Sequence, residues 1–149
     1  MKDIPISNIV YATDFSGSSK RAAAYAANLA KLTGATLHLL HVINELSDEQ
    51  RSLIQQDLFD SFAKDVEVLA VKNTEEFRRK YFAGIENIRS HTVIGTPFQQ
   101  IINHSEELQA DLIVMGTHGR TGIEHVLVGS TAERVVRRSR IPVLTVRGE

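Results

Sequence analysis

Apolar positions recur along the 149-residue chain with two different periods. Short runs rich in β-branched and apolar side chains have the character of buried strands. They occur at 8–14 (NIVYATD), 36–43 (TLHLLHVI), 87–95 (NIRSHTVIG), 111–116 (DLIVMG) and 142–147 (PVLTVR). Between them, three- and four-residue spacing predicts helices. From Gly17 to Thr33 the small-residue face is Ala22, Ala26, Leu29 and Ala30, with Gly34 as the stop. Capping-box patterns stand at SDEQ (47–50), TPFQ (96–99, with Pro97 at the first helical position) and STAE (130–133). Ile54, Leu58, Phe62, Val66 and Leu69 form one stripe through the middle of the chain. An unbroken helix to Ala83 would be unusually long, so the pattern predicts one helix with a break, restarting where Asn73 and Glu76 form a second start signal.

Strands alternating with helices predict a parallel sheet with right-handed crossovers and helices on both faces. The expected fold is doubly wound α/β, Rossmann-like, with five strands in the order 3-2-1-4-5. No Pro/Gly/Ser-rich linker, repeat or low-complexity tract divides the chain, and one domain over 1–149 is expected.

Composition narrows the function. The chain is 42% hydrophobic, enough for a core, and 17 basic residues against 18 acidic ones leave no broad electrostatic footprint for nucleic acid. The absence of cysteine removes disulfides and thiol chemistry and suits a reducing compartment. MKDIPISNIVYATDF has no signal-peptide pattern and no apolar run is long enough to span a bilayer, so a cytoplasmic protein without a membrane partner is expected.

Candidate chemistry gathers at two points. In open α/β sheets ligands bind beyond the carboxyl ends of the strands, where strand order reverses. That places Asp14, after the first strand, opposite GTHGRTGIEHVLVGST (116–131), after the fourth. Gly116 and Gly119 allow a sharp turn with uncovered N–H groups, an anion-binding nest. Gly129 precedes the last long helix, whose amino terminus offers unpaired donors and the positive end of its dipole. The stretch lacks the GxxxxGK[ST] spacing of a P-loop, and DFSGSS after the first strand is not GxGxxG.

The spacing G-x2-G-x9-G-[ST], carried by Gly116, Gly119, Gly129 and Ser130, resembles the ATP-binding motif of the universal stress protein family. The ending GSTAERVVRRSRIPVLTVR and the opening IVYATDFSGSSKRA are similar to that family's two chain ends, and the resemblance covers essentially the whole chain. It implies an adenine nucleotide alpha hydrolase-like fold and an adenine nucleotide, ATP with or without Mg²⁺, as ligand. By position, it implies that Asp14 meets the ribose region and that the Val42 backbone meets adenine. Met115 and Gly116 would line the adenosine, and Gly119, Gly129, Ser130 and Thr131 would surround the phosphates. Ala12 stands where relatives often carry proline and shapes the pocket wall. Arg120, within the motif, joins the nucleotide-binding set. The resemblance says little about residues 44–85.

Simpler roles stand beside these. Ser130 can serve only as a cap paired with Glu133, Asp14 only as a helix cap, and Gly116 and Gly119 only as turn glycines. His38 and His41 point to opposite faces of a strand and form no chelating pair. His91, His104 and His125 have no spaced ligand partners. The arginines of RVVRRSR (134–140) complement a helix carboxyl end. The expected function is an ATP-binding, stress-response regulatory module, with a homodimer through the last strand, 142–147, as its family resemblance implies. A slow ATPase or a phosphoryl or adenylyl transferase in the same crevice, with His118 and Arg120 as candidates, remains an alternative, as does a protein-interaction domain without nucleotide.

Overall fold

The computed structural model describes residues 2–118 and 128–148. β1 (Asn8–Ala12), β2 (Thr36–Asn44), β3 (Ile88–Gly95), β4 (Leu112–Gly116) and β5 (Val143–Val146) form one five-stranded sheet. All neighbouring pairs are parallel and the order is β3-β2-β1-β4-β5, as the alternation of elements predicts. β1 lies between β2 and β4, with Tyr11 opposite Leu39 on one side and Val114 on the other.

Helices cover both faces. α1 (Gly17–Thr33) and α3 (Gln56–Tyr81) pack on the face that presents Ile9, Tyr11, Leu37, Leu39 and Val114. α1 buries Ala22, Ala23, Ala26, Ala27 and Ala30, and these small side chains let it lie close to the sheet. α4 (Pro97–Glu107) and α5 (Ser130–Arg138) cover the opposite face, where Val10, Leu40, Ile113 and Met115 meet Phe98, Ile101 and Val135. Gly34 ends α1 at φ +71°, a left-handed conformation that an L side chain adopts only with strain.

The middle of the chain differs from the sequence expectation. The capping box of Ser47 and Gln50 forms and starts α2 (Asp48–Ser52), but the break lies at 53–55. α3 then runs unbroken through Asn73 for 26 residues. Tertiary packing overrides the local start signal at that point. Thr74 is buried, with its hydroxyl donating to the Ala70 carbonyl, and Phe77 packs among Tyr11, Phe15, Tyr81 and Phe82. The buried residues of α3 are Ala70, Thr74 and Phe77, whereas Leu58, Phe62 and Leu69 of the apolar stripe are exposed.

Two other capping boxes are not made. Thr96 is the N-cap of α4 but its side chain caps nothing, leaving Pro97 as the start signal. Gly129, not Ser130, is the N-cap of α5, and Glu133 pairs with Arg137 instead. The cap-only role for Ser130 is thereby corrected: it is the first helical residue, one position too late to cap.

Candidate nucleotide site

A cleft of about 580 Å³ opens at the carboxyl ends of β1, β2 and β4. Its floor is Ala12 from β1, Leu40 and Val42 from β2, and Met115 and Gly116 from β4. Asp14 stands at one side and Gly129, Ser130 and Thr131 at the other, where α5 begins. Eight of the ten sequence-predicted residues thus line one cleft: Ala12, Asp14, Val42, Met115, Gly116, Gly129, Ser130 and Thr131. Gly119 and Arg120 lie outside the described residues, as do Gly122 and His125.

The segment after β1 is held by short-range bonds. Asp14 Oδ1 accepts from the Ser16 N–H at 3.0 Å, and Ser16, not Asp14, caps α1 by accepting from the Ser19 N–H. That corrects the reading of Asp14 as the helix cap. Phe15 between them has φ +64°, unusual for a bulky side chain, and its ring packs on His41 and Phe77 at centroid distances of 4.4 and 5.6 Å. The Phe15 N–H donates to Thr13 Oγ1 at 3.0 Å, and His41 Nδ1 meets the Thr13 carbonyl at 2.8 Å. A non-glycine residue in this region costs about 1–3 kcal/mol and persists where its surroundings fix it, as these contacts do here.

Beneath the cleft, Tyr11 donates from its phenol to the Ser19 carbonyl at 2.6 Å and meets Ser19 Oγ at 2.9 Å, while Ser19 Oγ also bonds Thr13 Oγ1. Burial pushes the Tyr11 phenol well above its usual titration range, and the hydrogen bonds from Ser19 and Thr13 offset only part of that effect. Tyr11 therefore remains a neutral donor that ties α1 to the sheet.

The two sides of the cleft are joined directly. Ser18 Oγ donates to the His118 carbonyl at 2.7 Å and Ser16 Oγ to the same oxygen at 3.3 Å. His118 Nδ1 turns instead to Thr117 Oγ1 at 2.8 Å. The Gly129 N–H donates to the Thr117 carbonyl, holding the start of α5 against the end of β4.

This arrangement revises the role of Gly116. It is paired with Val146 inside the sheet, and an added Cβ would lie 2.8 Å from the Ser18 carbonyl carbon and from the Ser19 nitrogen. Glycine is needed there because the first turn of α1 packs against the strand end, not because the chain turns into an open nest at that residue. Gly129 has φ −69°, which any residue adopts, so its value is the absence of a side chain at the mouth of a helix amino terminus.

Sequence reasoning missed two features. α3 supplies a wall of the cleft through Val66, Leu69, Ala70 and Asn73; the i, i+3, i+4, i+7 spacing was visible, but not which element the face would meet. His38 and His91 bond at 3.0 Å between β2 and β3, with His38 Nε2 3.2 Å from Asn8 Oδ1. Only the strand register reveals that pair. Among the described residues no helix is long and apolar enough to cross a membrane, and no cluster of three metal-ligating side chains is present.

Known proteins match over nearly the whole chain. The family model described as the universal stress protein family matches residues 5–147. Universal stress protein MJ0531 of Methanocaldococcus jannaschii is 34% identical, covering 93% of this chain and 81% of its own. MJ0577 of the same organism is 32% identical, covering 93% of each. The solved structure of MJ0577 superposes with a TM-score of 0.86 at 27% identity, over 98% of this chain and 99% of its own. A universal stress protein solved in complex with cAMP gives a TM-score of 0.68 at 26% identity, over 97% and 98% of the two chains. With its five-stranded order and its match from residue 5 to residue 147, the chain belongs to the universal stress protein family.

Proposed function

We propose that this protein is an ATP-binding regulatory module in the stress response, a single nucleotide-binding domain whose cleft holds the nucleotide and whose bound state sets its conformation or choice of partner. The observation that carries this reading is the convergence of Asp14, Val42, Met115, Gly116, Gly129, Ser130 and Thr131 on one cleft from separate stretches of sequence. The cleft is apolar where β2 and β4 end and offers a helix amino terminus with two hydroxyl residues at the opposite side, the chemistry that a base and a phosphate chain require. The complex of a relative with cAMP supports an adenine nucleotide as the ligand class. Mg²⁺ would travel with the phosphates and neutralise part of their charge. A micromolar dissociation constant needs about −8 kcal/mol, within reach of a buried base and several charge-assisted contacts.

The edge position of β5 supports a homodimer through strand 142–147, in which the outward backbone groups pair with a second copy.

Titration calorimetry with ATP, ADP and AMP, with and without Mg²⁺, tests the ligand. Gly129→Asp is the incisive variant, because aspartate is a good N-cap and keeps α5 stable while its charge repels phosphate. It should weaken ATP by at least about tenfold without lowering the unfolding midpoint. No heat from any nucleotide would remove the reading. Multiple-turnover phosphate release that Gly129→Asp abolishes would establish the hydrolytic alternative.

A further inference from the structure

We infer that Asn73 reads the base: its amide hydrogen-bonds the 6-amino group and an adjoining ring nitrogen of the adenine. The inference rests on the nucleotide reading of the cleft and adds to it the residue that selects adenine. α3 lines the cleft with four side chains, of which Val66, Leu69 and Ala70 are apolar and Asn73 is the polar one. The strand end across from them, Val42 and Ile43, is apolar as well. Asn73 is half-buried, and its amide has no hydrogen-bond partner among the described residues. That amide is open to the cleft, and a ligand that pairs both its donor and its acceptor replaces its bonds to water with directed ones against an otherwise apolar wall.

The wall around it suits a flat apolar ring, and the amide suits a ring edge on which a donor stands beside an acceptor. Asparagine presents a carbonyl oxygen and an NH₂ side by side, and adenine presents its N6 amino group beside a ring nitrogen, so the two form a bidentate pair. Asn44, the other amide at the cleft, is exposed at the end of β2 and belongs to the rim. The hydroxyls of Ser130 and Thr131 stand at the α5 end, where the phosphates would lie.

A two-by-two affinity cycle tests this, with ATP and purine riboside triphosphate, which lacks only the 6-amino group, each titrated into the wild type and Asn73→Ala. In the wild type, deleting the amino group should weaken binding about tenfold; in Asn73→Ala the two ligands should bind alike. Asn73→Asp keeps the acceptor for the amino group and should restore part of the preference. Circular dichroism and the thermal midpoint check that each variant is folded, and Asn73→Ser replaces Asn73→Ala if that variant is not. Equal loss on amino deletion in wild type and variant, with tight ATP binding in both, overturns the role of Asn73 and leaves nucleotide binding standing. Failure of the wild type to bind either ligand overturns both.

Discussion

Gly116 is the residue at which sequence and structure agree on importance and differ on cause. It belongs to the glycine motif, yet its backbone sits in the β4–β5 ladder and the missing side chain makes room for Ser18 and Ser19. Gly116→Ala should therefore destabilise the fold by about 1–3 kcal/mol, read as a lower urea midpoint without any nucleotide present. A mutation that spared stability and removed only nucleotide affinity would contradict the packing role. The histidine pair makes a second residue-scale prediction. Burial lowers the pKa of His38 and His91 below the ordinary 6.5, and the charges of His91 and Arg89 beside His38, and of His104 and Arg89 beside His91, act in the same direction. His104 in turn faces Glu107 at 3.5 Å. Because the folded state holds these imidazoles neutral, the unfolded chain binds more protons below pH 6.5. Their contribution is complete above that pH and is lost as pH falls toward the depressed folded values. The urea midpoint should fall as the pH drops below about 6.5, and His91→Gln should flatten that slope. The position of Asp14 was legible from its place after the first strand, whereas the His38–His91 contact needs the β2–β3 register, in which His38 lies opposite Arg89 and His91 follows two residues along, on the same face.

At the scale of elements, every strand, the end of α1 and the start of α4 were legible, because the central parallel strands are buried and largely apolar and because Gly34 and Pro97 act locally. α3 was not. Its regular stripe of Leu58, Phe62 and Leu69 reads as a core face, yet these residues are 62%, 57% and 56% exposed. The face that packs carries Ala70, Thr74 and Phe77, small, polar and aromatic in turn, a composition with no strong hydrophobic signature. The helix is also longer than the sheet it covers, so its first half has no buried residue. Phe62→Ser should leave stability within about 0.5 kcal/mol, whereas Phe77→Ala should cost about 3–5 kcal/mol by chemical unfolding. The reverse order would mean that the amino-terminal half of α3 is packed in solution and would overturn the division of the helix into a packed and an exposed half.

For the molecule as a whole, the exposed edges of the sheet are β3 and β5. The carbonyls of Pro142 and Val146 accept from β4, so residues 142, 144 and 146 turn their ladder groups inward and 143 and 145 turn theirs outward. Thr145→Pro removes an outward N–H and no bond to β4. It should convert the proposed dimer to a monomer by light scattering while the far-ultraviolet spectrum stays unchanged; a variant that remains dimeric would place the contact elsewhere. Sheet order was legible for the whole molecule from the alternation of elements, but the joining of the two cleft walls by Ser18 and His118 was not, since serine and histidine carry no spacing signal across that distance.

That bond has a kinetic consequence. Ser18 and His118 are 100 residues apart, and the cleft they close exists only after β1 has met both β2 and β4. Closing so long a loop is a late and slow event in folding, and a pocket assembled by it is absent from the folding transition state unless the central strands have already paired. A nucleotide that recognises the finished pocket will leave the refolding rate unchanged and slow the unfolding rate, so occupancy will act as a brake on loss of the fold rather than as a guide to reaching it.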